Sequence, residues 1–397
     1  MKKYHYIFLF SLLLILGSCT DLQEDPIGIL APESFFSSKA DAEAAVLGAY
    51  APMISYLDYQ GFYYYFVEAP TDMVQNVTYY PDEENNFTAT PNNYDVQVIW
   101  EIIYKSISGA NNAIDGIPLV ENMEEVDKMQ FIAEAKAIRA FNYFRLVRLY
   151  GDIPYIDEFV REPSTVADLT RTPASDVYAH IIEDLEFAIQ HLPDKNSSDF
   201  RSRITKGTAL TILADVYLTL GNWVKAAENA EYIINHRGDF GYALMDDFKD
   251  LFNGWIGDVE EDIWTIDYVK GIEQYPYGSF GLYYFCAPSH YGGWDTMVSN
   301  KGTLDSFDDR DYRKKISFMI EAPVDGVMMP WTELFAPYPH ILKYLTPNKS
   351  VYEDDENRNR NVIIYRYAEV LLIAAEALNE INGGPTSKAY DYINQVR

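Results

Sequence analysis

The stretch Thr205–Ile234 reads TKGTALTILADVYLTLGNWVKAAENAEYII, and its pattern predicts two helices separated by little more than Gly221. Small residues in both halves would let the two helices approach closely, and larger residues would fill the space between them. The positions that carry this pattern are Leu213, Ala214, Tyr217, Gly221, Ala226, Ala230 and Ile233. The stretch is therefore predicted to be a helical hairpin.

The spacing within this hairpin is typical of a tetratricopeptide-like pair, and a second pair is predicted over Tyr367–Asn382 and Ser387–Arg397. Such hairpins bury their apolar faces only against neighbouring hairpins, so at least four pairs are expected. The predicted fold is mainly α, a scaffold of helical hairpins. Because the helical pattern reaches Arg397 without a cap, we expect the C-terminus to be truncated and the last hairpin to be incomplete.

The other helices are predicted from capping signals and helical periodicity. A capping box over Ser38–Asp41 precedes one apolar helical face. A long helix over Glu124–Tyr150 is apolar nearly all round in its second half, which predicts burial between neighbours. Thr172 is predicted to be the N-cap of a further helix, with Pro173 as its first residue.

Two segments interrupt the helical pattern. Residues 60–93 form an aromatic-rich excursion, and residues 238–361 are rich in Gly, Pro, Tyr and Trp, with strand-like runs such as Asp262–Tyr268. We therefore expect a helical scaffold over 34–237, an irregular lobe with short strands over 238–361 and a final scaffold hairpin over 362–397. Loops on a regular scaffold commonly carry binding function, so the lobe is the expected ligand site.

The N-terminus has the pattern of an export signal. A basic start and the apolar run Ile7–Leu16, too short for a comfortable membrane span, predict a signal peptide over residues 1–18. Leu16-Gly17-Ser18-Cys19 resembles a bacterial lipobox, which predicts cleavage before Cys19, lipidation of its thiol, for example with palmitate, and a tether over 19–33. An ordinary signal peptide with an incidental cysteine is the alternative. No later apolar run is long enough to span a bilayer, so the mature chain is expected to be membrane-anchored.

Composition excludes several classes of protein. The chain carries 31 basic and 60 acidic residues, and the formal net charge of −29 disfavours nucleic acid as a partner. With 48% hydrophobic and 23% charged residues, it is far from the composition of disordered chains. The two cysteines, Cys19 and Cys286, give no disulfide framework, and Cys286 is expected to be a buried, inert thiol.

Catalytic and metal-binding motifs are absent from the sequence, so no cofactor is expected. The six histidines include no i,i+4 pair, the run Tyr277–Gly281 lacks one glycine of a nucleophile elbow, and there is no phosphate loop. Among 60 acidic residues, chance carboxylate pairs do not indicate a glycoside hydrolase. Asp308, Asp309 and Asp311 could ligate a structural calcium, but they lack an EF-hand pattern, and a turn that caps the next helix is favoured.

Aromatic residues are in surplus, because 33 Tyr, 21 Phe and 6 Trp make up 15% of the chain. Adjacent tyrosines such as Tyr79 with Tyr80 and Tyr283 with Tyr284 cannot all face one core, so some rings should be exposed. Exposed rings suit carbohydrates, because the apolar C–H face of a pyranose stacks on them while Asp, Asn and Arg bind the hydroxyl groups. The alternative, given equal weight, is that these rings pack under loops or against a protein partner.

Several stretches together resemble the SusD/RagB family, surface lipoproteins that capture nutrients for TonB-dependent outer-membrane transporters. The family's most recognisable helix is similar to Ala133–Ile156, AEAKAIRAFNYFRLVRLYGDIPYI, and its central hairpin is similar to Thr205–Ile234. Its late helices are similar to Arg366–Gly383, RYAEVLLIAAEALNEING, and Asp308–Arg313 fits a region with an Asp-x-Arg element. Together with the lipobox, the resemblance extends over nearly the whole chain.

The resemblance implies a non-catalytic protein, lipid-anchored on the outer membrane, that binds oligo- or polysaccharide and passes it to a SusC-like TonB-dependent transporter. A peptide-binding member of the family is the alternative, and a glycoside hydrolase is a weaker one. Because ligand residues vary within the family, the predicted site rests on loop position and side-chain chemistry. Its residues are Asp72, Asn76, Tyr79, Tyr80, Tyr283, Tyr284, Tyr291, Trp294 and Trp331.

Overall fold

The computed structural model describes residues 35–54, 66–77, 83–196, 201–252, 259–267, 281–334, 336–343, 345 and 361–397. The expected signal peptide, Cys19 and the tether lie outside these residues, as do Tyr79 and Tyr80. Within the described ranges, no helix combines the length and the apolar character that crossing a membrane requires.

The protein is mainly α-helical, as the hairpin patterns predict. In chain order, the helices are α1 Lys39–Ile54, α2 Tyr94–Gly116, α3 Glu125–Tyr150, α4 Ala174–His191, α5 Lys206–Thr219, α6 Trp223–Asn235, α7 Arg237–Phe240, α8 Gly281–Cys286, α9 Lys301–Ser306, α10 Tyr312–Ser317, α11 Tyr367–Asn382 and α12 Ser387–Val396. The strands are β1 Val74–Gln75, β2 Asp262–Ile266, β3 Val298–Ser299, β4 Phe318–Met319, β5 Glu321–Val324, β6 Val327–Pro330, β7 His340–Ile341 and β8 Val362–Arg366.

Side chains cap several of the long helices. Before α1, the Asp41 carboxylate accepts the backbone N–H of Ser38 at 2.8 Å, which completes the predicted capping box. Asn93 Oδ1 accepts two backbone N–H groups at the start of α2, at 2.9 and 3.1 Å. Thr205 and Thr208 form a reciprocal capping box at the start of α5. These caps satisfy backbone donors that have no partner within the helix.

The long helices form a continuous row in which each packs on the next, from α1 to α6 and then from α6 to α11 and α12. The chain therefore leaves the row after α6 and returns to it at α11. Helix α3 is buried almost all round from Phe131 onward, as its apolar pattern predicts. One large apolar cluster extends through the row and forms the principal core.

One strand pair belongs to this principal core. Strand β2 runs antiparallel to β8, all five residues of β2 are buried, and Trp264 makes an edge-to-face contact with Phe141 of α3 at 4.7 Å between ring centroids. The run Asp262–Ile266 therefore packs with the helices, although it lies within the range 238–361 that the sequence marks as irregular.

The remaining strands form the region called here the sheet lobe, residues 281–345 together with β1. Its four-stranded sheet has the order β1-β3-β7-β4, and β5 with β6 forms a separate hairpin. Two small apolar clusters lie beside these strands. Strand β1 comes from the excursion 60–93, so this excursion contributes directly to the sheet of the lobe.

The predicted start of α4 is wrong by one residue. Pro173 occupies the N-cap position and α4 begins at Ala174, whose backbone N–H is accepted by the Asp152 carboxylate at 2.8 Å. Thr172 does not cap the helix, because it exchanges two backbone hydrogen bonds with Ile153 in an isolated bridge. This tertiary pairing outweighs the local capping preference of threonine.

Candidate ligand-binding site

A loop over residues 288–296, called here the ring loop, connects α8 to β3. The chain from Trp294 to Met297 folds back against α8 and the residue after it through three backbone hydrogen bonds: Trp294 N to Tyr284 O at 2.8 Å, Asp295 N to Ala287 O at 3.1 Å, and Met297 N to Phe285 O at 2.7 Å. Two of these bonds satisfy carbonyl groups in the last turn of α8, which lack partners within the helix. The ring loop is thereby fixed against that helix.

The ring loop reverses direction at two glycines. Gly292 has a φ of +84°, a left-handed conformation that glycine adopts without steric cost. A Cβ atom on Gly293 would lie 2.1 Å from the carbonyl oxygen of Ala287. Both positions therefore require glycine, and the tight reversal sets how the rings on either side are presented.

The ring loop exposes an indole and an imidazole. Trp294 is 42% exposed, and its ring lies against Tyr284 and Phe285 with centroids 5.5 and 5.4 Å away. His290 is exposed and its ring centroid lies 4.1 Å from that of Tyr291. Partial burial and the nearby His340 lower the pKa of His290 below its usual 6.5, so the ring is uncharged at pH 7. The surface presented here is apolar and aromatic.

Tyr291 and Trp331 share one supporting apolar cluster. Both are partly buried and pack against the same small apolar cluster, of which Tyr284 is a buried member. The hydroxyl of Tyr291 donates to the carbonyl oxygen of Pro323 in β5 at 3.3 Å, which links the ring loop to the hairpin. Trp331 directly follows β6. The structure thus brings Trp331 close to three aromatic residues some forty positions earlier in the chain. These are Tyr284, Tyr291 and Trp294.

The prediction that Tyr284 contacts a ligand is wrong, because the Tyr284 side chain is buried. Tyr284 is 3% exposed, so its ring faces are covered by protein and cannot stack on a sugar. The ring instead supports Trp294 from below. The backbone of the neighbouring Tyr283 lies in α8, but its side chain lies outside the described part of the chain.

Asp72 and Asn76 flank β1 at opposite ends. Strand β1 is antiparallel to β3, with Gln75 opposite Val298. This register places Asn76 toward the end of β3 at which the chain arrives from Trp294, and it places Asp72 toward the other end. Asn76 is therefore the nearer of the two to the ring loop along the sheet.

Two cavities open beside the sheet. One, of about 280 Å³, has mainly apolar walls that include Met73, Met297 and Phe318, and Cys286 also lines it. Cys286 is fully buried, as predicted, and burial raises the pKa of its thiol far above the usual value, which keeps the sulfur protonated and unreactive. The other cavity, of about 460 Å³, has both polar and apolar walls and lies where α10 of the lobe faces residues 244–248 and residues 395–397.

The acidic cluster near residue 310 forms a helix cap, which is the favoured prediction. Asp311 is the N-cap of α10 and accepts the backbone N–H of Arg313 at 3.0 Å. Asp308 and Asp309 pair with the cations of Arg310 and Lys314, at 2.8 and 2.7 Å. In the part of the chain that the structure describes, no three Asp, Glu, His or Cys side chains are arranged to hold a metal ion.

Sequence reasoning missed three residues of this site, namely His290, Asp295 and His340. A usable signal was present in the run Pro288–Asp295, PSHYGGWD, where two adjacent glycines lie between aromatic residues. No sequence pattern indicates that Asp295 pairs with His340, because the two residues come from separate elements that the sheet brings together.

Comparison with known proteins agrees with this architecture. One matching family model is described as starch-binding associating with outer membrane, over residues 33–218, and a second is described as SusD family, over residues 329–397. SusD-like protein P2 of Formosa agariphila is 38% identical in an alignment that covers the whole chain and 81% of that protein. The chain belongs to the SusD/RagB family.

Solved structures of SusD/RagB proteins have the same fold. A SusD superfamily protein from Parabacteroides distasonis has a TM-score of 0.77 at 22% identity, covering 91% of this chain and 80% of that one. A laminarin-binding SusD-like protein has a TM-score of 0.75 at 23% identity, covering 91% of this chain and 84% of that one. At these identities the likeness concerns the fold alone.

Proposed function

We propose that this SusD/RagB protein is a non-catalytic, cell-surface protein that binds glycans through the ring loop. The observation that carries this proposal is the conformation of Trp294, whose ring is 42% exposed while its backbone is bonded to α8. An indole held in this way offers its face to the apolar C–H face of a pyranose. Because the backbone is already ordered, binding incurs little further conformational entropy cost.

Neighbouring groups supply the remaining contacts. The uncharged His290 and the partly exposed Tyr291 and Trp331 extend the apolar surface on which further sugar units lie. Asn76 is the proposed polar contact, since a side-chain amide both donates to and accepts from sugar hydroxyl groups. Four other predicted contacts stay predictions. Asp72 lies at the far end of β1, and the side chains of Tyr79, Tyr80 and Tyr283 lie outside the described part of the chain.

We further propose that the protein is lipidated at Cys19, faces outward from the outer membrane and passes its ligand to a SusC-like TonB-dependent transporter. The support is the run Leu16-Gly17-Ser18-Cys19 and the outer-membrane association named in the description of the matching family model. Incorporation of labelled palmitate that is lost in Cys19→Ala, and co-purification with a transporter barrel, are the expected results. Unlabelled wild-type protein in the membrane fraction would contradict the anchor.

A panel of ligands tests the binding proposal. Purified protein is titrated calorimetrically with starch, laminarin and other polysaccharides, and in parallel with peptides. We expect saturable binding to at least one polysaccharide, and a loss of about tenfold or more in affinity in Trp294→Ala, equivalent to about 1.4 kcal/mol. The matched control is Tyr390→Ala, because Tyr390 is a 53%-exposed ring on α12, outside the lobe, and should leave affinity unchanged.

Three outcomes would contradict the proposal. Binding to peptides and to no polysaccharide would establish the peptide-binding alternative. Release of new reducing ends from a bound glycan, abolished by a single Asp or Glu substitution, would establish a hydrolase. Unchanged affinity in a folded Trp294→Ala variant would remove the ring loop from the site.

A further inference from the structure

A buried pair of titratable residues lies directly beneath the ring loop. His340 is 0% exposed and Asp295 is 2% exposed, and His340 Nε2 lies 2.7 Å from Asp295 Oδ1. Replacing a buried ion pair by well-packed apolar residues of similar volume is often neutral or stabilising, so such a pair is weak evidence for a contribution to stability. Its presence under an exposed aromatic surface therefore calls for a reason other than stability.

Asp295 closes the ring loop on itself. Both oxygens of its carboxylate lie 3.1 Å from the backbone nitrogen of Ser289, which donates to them, so one side chain ties together the two ends of the segment 289–295. Asp295 directly follows Trp294 and has a φ of +52°, a left-handed conformation that is uncommon outside glycine and that aspartate adopts when its side chain bonds locally. The side-chain bonds to Ser289 hold the backbone in this conformation.

His340 ties the closed loop to the middle of the sheet. It lies in β7, between β3 and β4, where it is opposite Val298 on one side and Met319 on the other. Its Nδ1 is buried and has no hydrogen-bond partner among the described residues. The bond from Nε2 to Asp295 is thus the polar contact that accounts for an imidazole at this position.

We propose that the Asp295–His340 pair is a positioning element that sets the orientation of Trp294 for ligand binding. The inference rests on the proposed function, in that the ligand held by Trp294 is a glycan. When the bond to His340 is removed, the Asp295 carboxylate turns toward water and releases Ser289. The backbone then leaves the left-handed region at Asp295, and the indole immediately before it moves.

Two substitutions at one position separate the hydrogen bond from the volume of the side chain. His340→Met keeps a similar length without a donor, whereas His340→Gln places an amide N–H near the position of Nε2. The readouts are acrylamide quenching of Trp294 fluorescence, isolated by subtracting the same variant carrying Trp294→Phe, and affinity for a glycan that binds the wild type. We expect His340→Met to raise the quenching constant about twofold and to weaken affinity about tenfold, and His340→Gln to stay near the wild type.

Leu304→Ala is the control for lost stability, because Leu304 is buried in α9 and belongs to neither of the two small apolar clusters of the lobe. It should lower the melting temperature without changing the quenching of Trp294. Should His340→Met fail to fold, Asp295→Gly replaces it, because glycine removes the carboxylate and adopts the left-handed conformation without steric cost; its expected result is the same rise in quenching.

Quenching that is unchanged in the folded His340→Met or Asp295→Gly variant overturns the inference. Equal losses in His340→Met and His340→Gln overturn it as well, because the donor would then be irrelevant. Quenching is measured without ligand, so it decides the role of the pair even if the wild type binds no glycan. A wild type that binds no glycan would contradict the proposed function but not the positioning role of the pair.

Discussion

The helical row and the sheet lobe are held together in different ways. The row buries one continuous apolar cluster that extends from α1 to α12 and includes β2 and β8. The lobe has strands of two to four residues and two small clusters, of six and five buried residues. Its ring loop is held mainly by backbone hydrogen bonds and by the side chain of Asp295.

Because of this difference, the helical row mainly determines stability and the sheet lobe mainly determines ligand recognition. Apolar burial contributes about 25 cal/mol per Å², so the larger cluster supplies most of the folding free energy. The lobe contributes less of it, but its hydrogen bonds fix the geometry of exposed rings. Substitutions in the row should therefore change stability and leave affinity intact, whereas substitutions in the ring loop should do the opposite.

The largest effect is expected from Phe141→Ala in the helical row. Phe141 is 0% exposed and packs edge-to-face on Trp264, so truncation leaves a cavity and should lower the free energy of unfolding by about 3–5 kcal/mol. Chemical denaturation measures this loss, and glycan affinity below the transition should be unchanged. Tyr390→Ala, at a 53%-exposed ring on α12, is the control and should change stability by less than about 0.5 kcal/mol.

The next largest effect concerns Asp95, which lies where the excursion 60–93 meets α2. Burial, followed by the charges of Glu84 and Glu83, raises the pKa of Asp95 to about 7. The folded state therefore binds more protons than the unfolded state between about pH 4 and pH 7, so this group lowers stability as pH rises through that range. Above pH 7 the Asp95 carboxyl is ionised in the folded state as well, and its destabilising effect no longer changes with pH.

Asp95→Asn removes this titration. We expect the variant to be more stable than the wild type at pH 8, by up to about 4 kcal/mol, and to differ little from it near pH 4. Denaturation midpoints measured across this range provide the check. A difference that does not depend on pH would show that the Asp95 carboxylate is not the group responsible.

A smaller effect on stability and a clear effect on affinity are expected from Gly293→Ala. The new Cβ would collide with the Ala287 carbonyl oxygen, so the ring loop must shift and the affinity for glycan should fall about tenfold or more. Gly302→Ala is the matched control, because a Cβ there meets no atom within 4 Å and the residue lies in α9. Equal affinities in the two variants would mean that loop geometry does not govern binding.

The smallest effect is expected at the start of α10. Asp311→Ala removes an N-cap and should lower the free energy of unfolding by about 1 kcal/mol. Because Asp308, Asp309 and Asp311 each have a cationic side chain as partner, we expect neither calcium nor a chelator to change the melting temperature. Stabilisation by calcium that is lost in Asp311→Ala would support the calcium alternative.

The sequence predicts the row better than the lobe, for a physical reason. A helix such as α3 is encoded by neighbours three and four residues apart, so its burial can be read from periodicity alone. Strand β1 is two residues long and pairs with β3, which lies more than two hundred residues further along, so local patterns do not reveal it. The error at Thr172 has the same origin, because a distant bridge overrides a local cap.

The site was predictable in composition but not in arrangement. Surplus aromatic residues in the lobe point to exposed rings, and Trp294 is one of them. Tyr284 is chemically equivalent to its neighbours in the sequence, but it is buried because the ring loop folds over it. The roles of Asp295 and His340 depend on the sheet that brings them together, which no spacing in the chain indicates.

The most direct test of the central claim is the accessibility of Trp294 during titration with a glycan that binds. Acrylamide quenching of Trp294, isolated by subtraction of a Trp294→Phe variant, should fall as the site fills and should saturate with the calorimetric affinity. That result would place the sugar on the exposed indole of the ring loop. Saturable glycan binding with unchanged quenching of Trp294 would contradict the account.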